Sequence, residues 1–142
     1  MNIAGGTHHA FTDRAEAFCM LNDQAIAANF LLNNKLAKKI MIIDLDVHQG
    51  NGTAEIFQGN KDVFTVSFHG EKNYPFRKEK SDYDHGFKDG TSDREYLNKH
   101  LILTGNQQIK VKDLLLMIKE IFNNEIELEF GHETELHHYE IT

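Results

Sequence analysis

The stretch from Ile40 to Gly52, IMIIDLDVHQGNG, constrains this chain more than any other part of it. An apolar run ends in Asp44, Asp46 and His48, and isolated charges beside a core are costly to desolvate unless something compensates them. The continuous apolar character of Ile40 to Leu45 predicts a fully buried strand of a parallel sheet. Open sheets of that kind bind ligands at the carboxyl ends of their strands, which is where the three polar residues stand. At alternate positions of an extended segment they project to one side, so one metal ion would neutralise both carboxylates together. The D-x-H spacing by itself leaves two readings open. Zn²⁺ accepts carboxylate oxygen and imidazole nitrogen, but an aspartate also simply holds a structural histidine by a hydrogen bond.

The flanking sequence sets this strand in an α/β pattern. Leu21, Ala25, Ala28, Leu32 and Leu36 recur at helical spacing between Met20 and Leu36, with Asn22 and Asp23 placed to cap the helix. After the glycines at 50 and 52, a short helix is predicted around Thr53 to Phe57, and Asp62 to His69 is a second β-rich run. Strand, helix and strand in that order predict a parallel βαβ unit. The polar segment from Gly70 to Asp93 reads as a long loop, a feature often tied to function. A helix is predicted to begin at SDREYL with Ser92 or Asp93 as its cap, and an amphipathic helix from Val111 to Phe122 precedes the alternating EIELEF. The texture changes near Ile102, which gives a boundary between residues 2–101 and a helix–strand tail at 102–142.

A length of 142 residues allows one ordinary domain with a core. The formal charge of −7 argues against a nonspecific grip on nucleic acid. No apolar stretch is long enough to span a membrane, no secretory signal follows Met1, and the single cysteine, Cys19, fits a reducing cytoplasm. Nine histidines are many for this length. His8 and His9 follow a pair of glycines, which let backbone turn sharply or approach a ligand closely. Such a doublet is either a solvated loop or a place where a proton is taken and later returned, one imidazole acting as general base.

The motifs GGTHHAF, AFCMLND, IIDLDVHQGNGTAEIF, VFTVSFHGEKNYPFRKEKSD and DGTSDREYL occur in this order. Together they resemble the zinc-dependent histone deacetylase family, in wording closest to its class IV and bacterial members, over about Asn2 to Leu101. The resemblance implies a partial arginase/deacetylase-like parallel sheet flanked by helices and hydrolysis of an acetylated lysine or acetylated amine. It implies that Asp46 and His48 are two of three zinc ligands, and that His9 is the main base with His8 as its electrostatic companion. Asp44 resembles the carboxylate that orients His8, and Asn51 stands where a partner of His9 is found. Asn lacks the charge of the Asp that some members carry there, so His9 should be less basic. Phe18 resembles one wall of an acyl-lysine tunnel, with Tyr74 or Phe76 opposite, although Phe18 also reads as a plain core aromatic. Asp44, Asp46, His48, Ser67 and Phe68 match a structural monovalent-cation site of the K⁺ type.

The departures matter too. Ala17 stands where Gly is usual. The family's third zinc ligand, an Asp in a segment of the form AGxDxxxxDxLG, and its later tyrosine have no counterpart here. The tail from Leu103 resembles the C-terminal part of NAD-dependent nucleotide-sugar epimerases and dehydratases, without their dinucleotide fingerprint or Tyr-x-x-x-Lys pair. His132, Glu133, Glu135, His137 and His138 have ligand chemistry but read more readily as a solvated end. Three functions follow from the sequence: a deacetylase-type amidohydrolase impaired by truncation, a noncatalytic metal-binding or interaction fragment, and a nucleotide-sugar-binding remnant. An incomplete sheet with exposed edges would also favour a homo-oligomer.

Overall fold

The computed structural model describes residues 6–104, 107–113 and 116. The chain forms two compact units, Met1–Asp89 and Gly90–Thr142.

The first unit carries helix α1 (Asp23–Asn33), strand β1 (Ile40–Asp44), helix α2 (Asn51–Ile56) and strands β2 (Val63–Gly70) and β3 (Tyr83–Phe87). The strands form a parallel sheet in the order β1-β2-β3, with Ile40 opposite Val63, Asp44 opposite Ser67, and Val66 opposite Tyr83. The βαβ unit is therefore present. Its core joins Ala25 and Ala28 of α1 to Ile42, Phe57 and Val63, with Leu32, Ile40 and Ile56 packed against them. Small alanines on the inner face of α1 let the helix approach the sheet closely. Asn22 caps it, accepting from the Ala25 N–H at 3.0 Å, while its amide donates to the Ala10 carbonyl and the Thr53 hydroxyl.

Three expectations need correction. β1 is not fully buried: Ile42 and Asp44 are inside, but Met41 is 42% exposed. As a sheet edge among the described residues, β1 has its alternate positions covered unequally, whereas central β2 is buried along most of its length. The expected α1 stripe is shorter than its spacing suggests, since Leu21 and Leu36 lie beyond the helix and are exposed. The segment from Gly70 to Asp93 contains β3, which lacks the alternating apolar pattern of a strand. Polar ties hold it instead. The Gln49 amide donates to Asp84 and to the Glu79 carbonyl at 2.8 Å each, and Asp82 accepts from the Thr65 N–H and hydroxyl.

In the second unit, α3 (Asp93–Leu97) starts with a complete capping box between Ser92 and Glu95. Strand β4 (His100–Thr104) pairs antiparallel with β5 (Gln107–Lys110), so Ile102 lies within a strand. Residues 111–113 and 116 are helical, and the rest of the predicted helix from Val111 to Phe122 lies outside the described residues. So do EIELEF, His132, Glu133, Glu135, His137 and His138. No helix among the described residues is long and apolar enough to cross a membrane.

Gly52 is where the fold tolerates no side chain. A Cβ there would lie 2.2 Å from the Ala10 carbonyl oxygen and 2.7 Å from the His9 carbonyl carbon, both backbone atoms. Gly52→Ala is expected to lower stability by up to about 3 kcal/mol through overpacking, checked by urea denaturation.

Candidate active site

The loop that carries His8 and His9 is fastened from two sides. Asp23, at the start of α1, accepts hydrogen bonds from the Gly6 and Thr7 N–H groups at 3.2 Å and from the Thr7 hydroxyl at 2.9 Å. The His8 carbonyl accepts from the Thr53 N–H in α2 at 3.1 Å. Gly50 and Gly52 let this backbone lie directly against the imidazole loop and Asp44. Both histidines are 5% exposed, so the reading of a solvated loop does not hold.

Each imidazole has a different partner. His8 Nδ1–H donates to Asp44 Oδ2 at 2.5 Å, and the other Asp44 oxygen accepts the Asp46 N–H at 3.0 Å. His9 Nδ1–H donates to Asn51 Oδ1 at 2.6 Å, leaving Nε2 as the acceptor nitrogen. The two rings lie 4.1 Å apart between centroids. Tyr74 meets His9 edge-on at 5.0 Å, and His48 lies 6.0 Å from His9 and 6.3 Å from Tyr74.

These surroundings separate the two histidines electrostatically. Burial pulls His8 down, but the Asp44 hydrogen bond and the charges of Asp44, Asp46 and Asp23 outweigh it, and its pKa rises above the ordinary histidine value. Burial also pulls His9 down, and the neutral Asn51 does not offset it, with His8 and His48 adding repulsion; its pKa falls. A doublet with one member poised to be charged and its neighbour to be neutral can divide acid and base work.

Asp46 and His48 are 51% and 40% exposed in their side chains. Asp46 Oδ1 accepts the His48 N–H at 2.8 Å, stands 3.2 Å from His48 Nδ1 and lies 3.9 Å from His8 Nε2. Two donors of a tetrahedral zinc with ordinary bond lengths are roughly 3.3 Å apart, so the carboxylate and imidazole suit one ion in both chemistry and spacing. No group of three or more His, Cys, Asp or Glu side chains suited to a metal exists among the described residues.

The structure thus gathers His8, His9, Asp44, Asp46, His48, Asn51 and Tyr74 at one end of β1. Phe18 and Phe76 are almost wholly exposed, so the core-aromatic reading of Phe18 is excluded. Ser67 is buried opposite Asp44 with its hydroxyl 3.0 Å from His69 Nδ1, and Phe68 is buried against Tyr83 and Phe87. Sequence reasoning missed Glu16, whose carboxylate accepts from Asn51 Nδ2 at 2.8 Å and from the Tyr74 hydroxyl at 2.6 Å. The Tyr74 bond holds the Glu16 carboxyl below its usual range, and Glu16 together with burial pushes the Tyr74 phenol up to about 12. A lone acid between Ala15 and Ala17, just before an aromatic, was the available signal.

Comparison with known proteins identifies the family. The histone deacetylase domain matches residues 1–127. An uncharacterized protein of Picosynechococcus sp. (strain ATCC 27264 / PCC 7002 / PR-6) is 53% identical over 96 residues, 68% of this chain and 32% of that protein. The acetylpolyamine amidohydrolase of Mycoplana ramosa is 50% identical over 64 residues, 45% of this chain and 18% of the enzyme. The crystal structure of a histone deacetylase homolog from Aquifex aeolicus has a TM-score of 0.57 at 29% identity, covering 89% of this chain and 33% of that one. The fold is an α/β domain of the arginase/deacetylase type. The chain belongs to the histone deacetylase family, and it spans about a third or less of the curated relatives named here. The family match runs past Leu101 into residues 102–127.

Asp23 makes the loop sensitive to acid. Burial raises its pKa, but hydrogen bonds from the Thr7 hydroxyl and the Gly6, Thr7 and Gln24 N–H groups outweigh this and leave it lowered. A lowered carboxylate contributes stability that is present above its unfolded pKa and lost as pH falls through its folded one. Asp23→Asn is therefore expected to be less stable than the parent at neutral pH, with the gap closing on acidification, as read from denaturation midpoints across pH.

Proposed function

We propose that this chain carries part of a zinc-dependent amidohydrolase site that acts on an acetylated lysine or acetylated amine. The observation that supports it best is the buried histidine doublet with split partners, Asp44 for His8 and Asn51 for His9, beside Asp46 and His48. Asp46 and His48 are the residues that would hold zinc, which when bound supplies Lewis acidity for amide hydrolysis. His9, neutral and with Nδ1–H committed to Asn51, takes a proton from the attacking water at Nε2. His8, whose pKa Asp44 raises, stabilises in its protonated form the negative charge developing beside it, and a protonated histidine of the pair returns a proton to the departing amine. Phe18 supplies one apolar wall for an acyl chain, with Tyr74, whose ring stands against His9 and His48, or Phe76 opposite. Asp44, Asp46, His48, Ser67 and Phe68 serve, in the same reading, as the monovalent-cation set.

With two protein donors among the described residues, zinc is held weakly and turnover by this chain is slow. The name of the Mycoplana ramosa relative supports a small acetylated amine as well as a protein lysine for the substrate class.

Purified protein supplemented with Zn²⁺ is expected to deacetylate a fluorogenic acetyl-lysine peptide or acetylated polyamine weakly. His9→Ala should reduce that rate by about 100-fold or more, the scale of general-base catalysis. Zinc content per chain, measured alongside, should fall in His48→Ala and not in His9→Ala. A rate indifferent to zinc and to His9 would remove the assignment and leave the noncatalytic reading.

A further inference from the structure

We propose that Glu16 is a positioning residue for His9, acting through the Asn51 amide to keep the His9 proton on Nδ1 and the lone pair on Nε2. The inference rests on His9 as the proton acceptor, and it adds a member that a histidine–asparagine pair alone does not supply.

The reason lies in the symmetry of a carboxamide. The two ends of the Asn51 side chain are nearly identical in shape, so the walls of a buried site cannot choose between its two flipped orientations. Hydrogen-bond partners must choose. With Oδ1 towards His9, the imidazole donates from Nδ1 and offers Nε2 as a base. With the amide reversed, its NH₂ would donate to Nδ1, move the ring proton to Nε2 and remove the base. Asn51 is 2% exposed, so water gives it little help. Its NH₂ instead faces Glu16 Oε1 at 2.8 Å, while Oδ1 receives His9 at 2.6 Å. An ionised carboxylate only accepts, so Glu16 admits one amide orientation and refuses the other.

The same Glu16 oxygen accepts from the Tyr74 hydroxyl at 2.6 Å, and the Tyr74 ring meets His9 edge-on with an interplanar angle of 86°. One carboxylate thus fixes both the hydrogen-bond partner and the aromatic neighbour of one imidazole. Glu16 is itself held from behind. Its backbone exchanges two hydrogen bonds with Cys19, at 3.1 and 2.8 Å, across a turn whose central residues Ala17 and Phe18 have φ of 46° and 66°. Left-handed backbone costs roughly 1–2 kcal/mol per residue without glycine. The turn therefore needs anchors, and anchoring it is the competing role for Glu16.

The His9 tautomer separates these roles. It is read from ¹⁵N shifts of the histidine ring nitrogens in the metal-free 142-residue chain at a pH where His9 is neutral, with His9→Ala identifying the signals. The parent is expected to show Nδ1–H. Glu16→Ala should give a mixture of tautomers, and Glu16→Lys, which replaces an acceptor by a donor, should invert the amide and favour Nε2–H. Glu16→Gln, whose oxygen can still accept both bonds, should retain the parent tautomer. Adding Asn51→Asp to Glu16→Ala should restore Nδ1–H, because a carboxylate has no amide to reverse; a lost turn anchor would not be rescued this way. Unchanged Nδ1–H in folded Glu16→Ala or Glu16→Lys overturns the proposal, as does failure of both to fold, which would assign Glu16 to the turn. The tautomer is measured without substrate or zinc, so absent hydrolysis tests the amidohydrolase reading alone.

Discussion

The carboxylate of Asp44 is the fastening on which the site depends. One oxygen receives the His8 imidazole from a loop 36 residues earlier in the chain, and the other receives the Asp46 N–H at the strand tip. A buried carboxylate would be costly alone, and here both of its oxygens are used. Because Asp44 ends β1 and lies opposite Ser67 of β2, the sheet register fixes its position, and the loop geometry follows. Breaking a buried pair of this kind by removing one partner leaves an uncompensated group, which makes it a constraint on the fold as well as on the chemistry.

The second constraint is the contrast between two adjacent histidines. They share backbone, burial and contact, yet one faces a carboxylate and the other a neutral amide. Burial acts on both in the same direction, so the partner decides the outcome: His8 is raised and His9 lowered. Asn51 is thus part of how the two rings come to differ in proton affinity, and Glu16 accepts from its amide on the side away from His9.

Much of this was legible in the sequence where local rules and tertiary packing agree. The parallel βαβ unit followed from apolar runs and glycine punctuation, and residue type narrowed the caps to Asn22 or Asp23 and to Ser92 or Asp93, of which Asn22 and Ser92 do the capping. The D-L-D-V-H tip stood out through charges at the end of an apolar run, and the structure places His48 and the two carboxylates beside the histidine doublet. β3 was hidden because Tyr83–Phe87 has no apolar alternation and is held through Asp82 and Asp84 to Thr65 and Gln49, partners far away in sequence. The exposure of Met41 could not be read from composition either, since a central and an edge strand can share one apolar run. Glu16 escaped because its contacts are with Asn51 and Tyr74, 35 and 58 residues away. A lone acid between two alanines marks a position but names no partner at that range.

The turn at Ala17 and Phe18 carries one more consequence. Its backbone is closed by reciprocal hydrogen bonds, and the Phe18 ring stands out from a segment that cannot easily swivel. A ring on a slack loop must surrender its wandering when something docks against it, which drains affinity. Here the chain has already made that surrender during folding, so an apolar group docking on the ring would meet a surface whose main-chain disorder was removed beforehand.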